Sequence, residues 1–131
     1  MEIIIDAHGA PFGRVATYAA KQALLGKKII ILNCNEAVIT GKKHAVLQAY
    51  QIKVARGGYA QKGPYFSKST EKFAKRIIRG MLPWTNARGK EAYKRIMCYN
   101  AVPEEYASKE KMSFDRAKPP YISLKELTKL L

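Results

Sequence analysis

The sequence predicts an α/β fold built on a parallel sheet. Ile3, Ile4 and Ile5 form an unbroken apolar run, and residues 29–32 form another. Such runs suit strands buried on both faces, as the strands of a parallel sheet are. Between them apolar residues recur at helical spacing. Strand, helix, strand at this separation is a βαβ unit, with an expected right-handed crossover.

The first strand is expected over 2–6. His8 and Gly9 make a turn, and Pro11 stands where a helix takes its first residue. From 12 to 25, Phe12, Val15, Ala16, Ala19, Ala20, Ala23 and Leu24 share one helical face, opposite Arg14, Thr17 and Lys21. Gly26 ends this helix. The second strand is 29–32, and 37–39 reads as a short third. Thr40 is placed to cap a helix that reaches about residue 56, with a narrow stripe of Val46, Leu47, Tyr50 and Val54.

Residues 56–69 read as a loop. Gly57, Gly58, Gly63 and Pro64 alternate there with Tyr59, Tyr65, Phe66, Lys62 and Lys68. Ordered loops of this length are usually functional or become ordered on binding. Its glycines and like charges predict mobility without a partner. Ser69 or Thr70 opens the next helix, with Glu71 in its first turn, and Pro83 ends it. A short helix over 88–95 leads into a last strand at 96–99. Residues 103–120 are polar and mixed in charge, so they are expected to run over the surface. Ser123 and Glu126 have capping-box spacing, and Ile122 and Leu127 have staple spacing, which predicts a C-terminal helix. One domain over 1–131 is expected, without repeat or linker.

Hydrophobic residues make up 47% of the chain, enough for a real core and too many for wholesale disorder. The formal net charge is +14. It is concentrated: residues 41–95 carry fourteen basic and two acidic side chains, against a net +1 on either side. A generally basic protein would spread its charge, whereas a segment that meets a polyanion concentrates it. No run approaches the roughly 20 apolar residues of a membrane span, and the acidic start at Glu2 is unlike a signal peptide. Cys34 and Cys98 offer neither zinc spacing nor a disulfide framework, so no metal is expected and a reducing cytoplasmic setting is.

The chemistry-bearing residues point to RNA. On the helix from Glu71 to Leu82, the side chains of Lys72, Lys75, Arg76 and Arg79 share an arc of about 100°, by the helical repeat. Phe73, Ala74, Ile77, Ile78 and Met81 lie opposite. A solvated helix face usually mixes charge signs for i,i+4 pairing, and here Glu71 is the lone acid. No helix-turn-helix, zinc finger or basic zipper is present to read duplex DNA. Cations alternating with aromatic rings in a glycine-rich loop suit irregular RNA, where bases stack on rings and phosphates meet cations. The expected RNA-binding residues are Lys42, Lys43, Arg56, Lys62, Tyr65, Lys68, Lys72, Lys75, Arg76, Arg79, Arg88, Lys90, Lys94 and Arg95. Trp84 is equally suited to burial or to a partner.

Catalytic readings are weaker. Gly9 and Gly13 give GxxxG rather than the GxGxxG of a dinucleotide turn, although Glu36 stands near the end of the second strand. The turn still offers backbone N–H groups to a phosphate. Thr40-Gly41-Lys42-Lys43 lacks the earlier glycine of a phosphate loop, since Asn35 holds its place. Cys34 with His8 or His44, and Asp6 with Glu36, are pairs without a spacing that fixes them. No catalytic residue, cofactor or small-molecule substrate is expected.

The stretch from Arg79 through Gly80-Met81-Leu82-Pro83-Trp84 to Tyr99 closely resembles the signature of the ribosomal protein L-thirteen family of the large subunit. Ile31 to Lys42 is similar to that family's second block, and Gly13-Arg14 to its first. Lys62-Gly63-Pro64-Tyr65-Phe66 and Val102-Pro103-Glu104-Glu105-Tyr106 resemble the archaeal and eukaryotic-type branch. The resemblance covers residues 2–106. It departs at Cys98, where the family has a small aliphatic residue, and at Ala101, where it has glycine. It implies a three-layer α/β/α fold with a mainly parallel sheet of about four strands. It further implies a structural, non-enzymatic role, with large-subunit (23S-type) rRNA and neighbouring large-subunit proteins as partners. Subunit assembly and a cytoplasmic location on the ribosome follow from the same likeness, and the chain is expected to be a monomer outside it. A free-standing mRNA-binding regulator and a nucleotide-cofactor enzyme are the alternatives.

Overall fold

A computed structural model describes residues 2–55 and 69–130 of the chain. The loop read at 56–69 falls outside these residues except for Ser69, and so do Arg56, Lys62, Tyr65 and Lys68.

The sheet is the parallel one the isoleucine runs predict. Strand β1 (Glu2–Asp6) pairs in register with β2 (Lys28–Leu32), so Ile3, Ile4 and Ile5 face Ile29, Ile30 and Ile31 across the ladder. Beyond β2 lies β4 (Ile96–Cys98), and beyond β1 lies β5 (Met112–Ser113), both parallel. The strand order is β4-β2-β1-β5. Alternation along the strands divides the core in two. Ile5, Ile29 and Ile31 point to one face, where helices α1 (Phe12–Leu24), α3 (Thr70–Arg79) and α4 (Ala87–Lys94) pack. Ile4, Ile30 and Leu32 point to the other, covered by Tyr99, Val102 and Tyr106 with the one-turn helix α5 (Glu104–Ala107). Three layers result, the second helical layer being thin. Each fully buried isoleucine contributes about 1.5–3 kcal/mol of transfer free energy, before entropy is subtracted.

Helix α1 follows its predicted face: Phe12, Val15, Ala16, Ala19, Ala20 and Ala23 are buried. It stops at Leu24, and Gly26 leaves it at a φ of +94°, a conformation open to glycine. The turn before it is organised by Asp6. Its Oδ1 accepts the His8 N–H at 3.1 Å and the Asn33 side-chain amide at 2.9 Å, and Asn33 itself holds φ +59°.

Four expectations need correction. The short third strand exists as β3 (Val38–Thr40), but outside the sheet; it pairs antiparallel with β6 (Tyr121–Ser123). Thr40 therefore ends a strand instead of capping a helix. Gly41, at φ +125°, turns the chain, and α2 (Lys43–Ala55) starts later than expected. Helix α3 ends at Arg79 because Gly80 caps it, so Met81 leaves on a turn and stands exposed while Leu82 stays buried. Residues 103–120 do more than cross the surface: they supply α5 and the edge strand β5. The C-terminal helix α6 (Leu124–Leu130) starts as its spacing predicts. The Glu126 N–H donates to Ser123 Oγ at 3.2 Å, and Ile122 and Leu127 are both buried.

Candidate nucleic-acid interface

Helix α3 presents its basic residues because its other side is taken. Phe73, Ala74 and Ile78 are buried, while Lys72 and Arg79 are exposed and Lys75 and Arg76 half-buried. Thr70 anchors the start of the helix, its hydroxyl lying 3.1 Å from that of Thr128 on α6. Phe73 packs on Tyr50 of α2, with ring centres 5.2 Å apart.

Two of these cations are fixed by aromatic rings that follow in the chain. Lys75 Nζ lies 4.5 Å from the centre of the Tyr93 ring, and the Arg79 guanidinium 4.7 Å from that of Trp84. Tyr93 and Trp84 meet edge to face at 4.9 Å and 84°. The four side chains form a row, Lys75–Tyr93–Trp84–Arg79, that ties α3 to α4. Ring faces hold cations by quadrupole attraction without neutralising them, so the charge stays available to an anion. Burial pushes the Tyr93 phenol above its ordinary value, against the pull of Arg79 and Arg76. Trp84 is half-buried.

The α4 cations divide. Arg95 donates to the Ala23 carbonyl at 2.9 Å and Arg88 to the Leu24 carbonyl at 3.3 Å. Both guanidiniums thus cap the C-terminus of α1, where its carbonyls lack helical partners and its dipole favours positive charge. Arg95 also stands 3.9 Å from Glu91. Lys90 and Lys94 are exposed. Lys42 and Lys43 stand at the start of α2, apart from the α3–α4 row. Lys43 meets Glu126 of α6 at 3.4 Å in an exposed pair of little energetic weight.

The carboxylate and thiol pairs are structural. Asp6 holds the turn described above, and Glu36 pairs with His8 Nδ1. Cys34 is fully buried, with its Sγ 3.9 Å from the Ile31 carbonyl oxygen, while His8 is engaged by Glu36. The hydrogen bond to Cys98, together with burial, pushes the Cys34 thiol far above its ordinary value. A thiol held protonated is a poor nucleophile. The folded protein is therefore expected to resist an aromatic disulfide reagent, and both thiols to react at once in denaturant. Rapid labelling of Cys34 in the native state would contradict this. Among the described residues, no group of three or more His, Cys, Asp or Glu could hold a metal ion, and no helix is long and apolar enough to cross a membrane.

Residues 1–105 match the family model described as ribosomal protein L13. The chain belongs to this family. It is 44% identical over 107 residues to the large ribosomal subunit protein uL13 of Archaeoglobus fulgidus, covering 82% of this chain and 68% of that one. The protein of the same name from Methanocaldococcus jannaschii is 37% identical over 131 residues, covering 98% and 96%. That from Methanococcoides burtonii is 38% identical over 120 residues, covering 92% and 86%. The family is a structural constituent of the ribosome, so the chain is a ribosomal protein and not an enzyme.

Two features escaped the sequence reading. Tyr93 was legible only as a helical residue, because its place between Lys75 and Trp84 depends on how α4 packs. Arg14, Lys21, Arg116 and Lys118 come from distant parts of the chain and line one crevice.

Proposed function

We propose that this chain is a structural component of the large ribosomal subunit that binds large-subunit rRNA, supports subunit assembly and works in cytoplasmic ribosomes. The observation that carries the reading is the α3–α4 row, where Lys75 and Arg79 are held on aromatic faces and, among the described residues, neither forms an ion pair with an acid. Lys72, Lys75, Arg76, Arg79, Lys90 and Lys94 meet phosphates on this face. Lys42 and Lys43, and the loop residues Arg56, Lys62, Tyr65 and Lys68, extend the contact to further RNA segments. Arg88 and Arg95 act mainly by fixing α1 beneath. Such contacts position rather than read sequence, so recognition comes from RNA shape and the direction in which the rigid α/β core points its cations. Neighbouring large-subunit proteins cover part of the remaining surface, and the free chain is a monomer.

Sucrose-gradient sedimentation of a cell extract tests this. The protein is expected to travel with the large subunit and to leave it in high salt. A protein found at the top of the gradient at low salt would instead be a free regulator.

A further inference from the structure

The strand order places a crevice where the chain reverses direction. From β1 it moves outward through β2 to β4, then returns to lay β5 on the opposite side of β1. In open parallel sheets, ligands favour the crevice beyond the carboxyl ends of the strands at such a reversal. The two segments that leave β1 and β5 here are residues 7–11 and 114–118. They are pinned together: the Ala117 N–H donates to the Gly9 carbonyl at 2.9 Å, and the Arg116 side chain lies over Gly9, which holds φ +68°.

Between these segments and α1 opens a cavity of about 1080 Å³. Arg14, Lys21, Arg116 and Lys118 line it, against one carboxylate, Asp115. All four cations are exposed, and none makes an ion pair or hydrogen bond among the described residues. Tyr18 forms part of the wall, its ring fixed edge-on by Phe114 at 5.6 Å, and Tyr50 forms another part. Nothing lies within 4 Å of the place where a Cβ on Gly13 would stand, so a ligand backbone can approach α1 closely there.

We propose that this crevice is a second RNA-binding site, which takes a single-stranded segment of rRNA. Phosphates meet Arg14, Lys21, Arg116 and Lys118, and a base lies against Tyr18. Cations that line a groove beside an aromatic wall are what single strands require: charge follows the backbone, and a ring takes a base of any kind. The inference rests on the rRNA-binding reading above, and it assigns RNA contact to four residues outside the basic middle segment.

The test uses the full chain and a large-subunit rRNA fragment in a filter-binding salt series. The crevice variant is Arg14→Gln, Arg116→Gln, Lys118→Gln. The control, Lys28→Gln, Lys125→Gln, Lys129→Gln, removes the same charge elsewhere. The crevice variant is expected to lose on the order of 10² in affinity at 150 mM salt and about three from the salt slope. The control is expected to lose far less, and the melting temperatures of both to stay near that of the unaltered protein. A crevice variant no weaker than the control, while the unaltered protein binds well, would overturn the second site and leave the α3–α4 face standing. Failure of the unaltered protein to bind would overturn both. A free ribonucleoside monophosphate that fills the crevice at micromolar levels and leaves RNA binding unaffected would also overturn it.

Discussion

Replacing Lys72, Lys75 and Arg79 together with glutamine is expected to weaken binding to a large-subunit rRNA fragment by on the order of 10² at 150 mM salt. The figure follows from counterion release, where each phosphate contact contributes about 0.9 to the slope of log affinity against log salt. Three contacts should therefore remove nearly three from that slope. The loss should be uniform across RNA sequences, because phosphate contacts carry no base information. The fold should survive, since Lys72 and Arg79 are exposed and Lys75 is bound to Tyr93 through a ring face rather than a buried ion pair. An exposed cation–π contact is worth about 0.5–1 kcal/mol, so the expected cost in stability is small. Lost affinity with an unchanged salt slope would mean that the three side chains shape the surface without meeting phosphate.

Gly89→Ala is expected to destabilise the protein more than any surface change. Gly89 is buried inside α4, and a Cβ there would stand 2.0 Å from the Pro83 carbonyl oxygen. That oxygen has little freedom to retreat, since it accepts the Asn86 N–H at 3.0 Å. Alanine gains about 1 kcal/mol over glycine from helix propensity alone. The clash opposes this with about 1–3 kcal/mol or more, because backbone must move on one side or the other. The clash wins, because a Cβ does not approach backbone oxygen so closely. A net cost of about 1–2 kcal/mol after the propensity gain should lower the melting temperature of a domain of this size by roughly 3–10 °C. The same displacement shifts Trp84 and Tyr93, so RNA affinity should drop as well. Gly13→Ala is the contrasting case. Gly13 is helical and nothing stands near its Cβ position, so the propensity gain goes unopposed and stability should rise by about 0.4–1 kcal/mol. A neutral Gly89→Ala would show that α4 and the 83–86 turn are not packed as described.

The parts of the fold that were legible in the sequence are those whose signal is local and repeated. The isoleucine runs of β1 and β2 and the alanine stripe of α1 are consequences of burial on two faces or on one. Ser123 and Glu126 announce α6 because a cap is a short-range hydrogen bond. Strand β5 could not be read: Met112 and Ser113 are both exposed, and their pairing with Ile5 and Asp6 is decided by backbone hydrogen bonds at a sheet edge. Strand β3 was legible as a strand but not its partner, since β6 lies some eighty residues away in the chain. Thr40 misled because a cap residue also suits the end of a strand, and Gly41 decided between them.

The site divides in the same way. The cationic face of α3 follows from helical periodicity, so Lys72, Lys75, Arg76 and Arg79 were legible together. The capping of α1 by Arg88 and Arg95 was not, because no local pattern says which carbonyls a guanidinium reaches. The switch-point crevice was the least legible feature. Its four cations lie in two segments about a hundred residues apart, and only the return of the chain to β5 brings them together.

The central claim is that this ribosomal protein holds rRNA chiefly through cations on phosphate. The affinity of the unaltered protein for a large-subunit rRNA fragment, measured by filter binding between 50 and 200 mM salt, tests it most directly. Six to ten phosphate contacts predict a fall of about 10³ to 10⁵ over that range. An affinity that stays flat across it would contradict the claim.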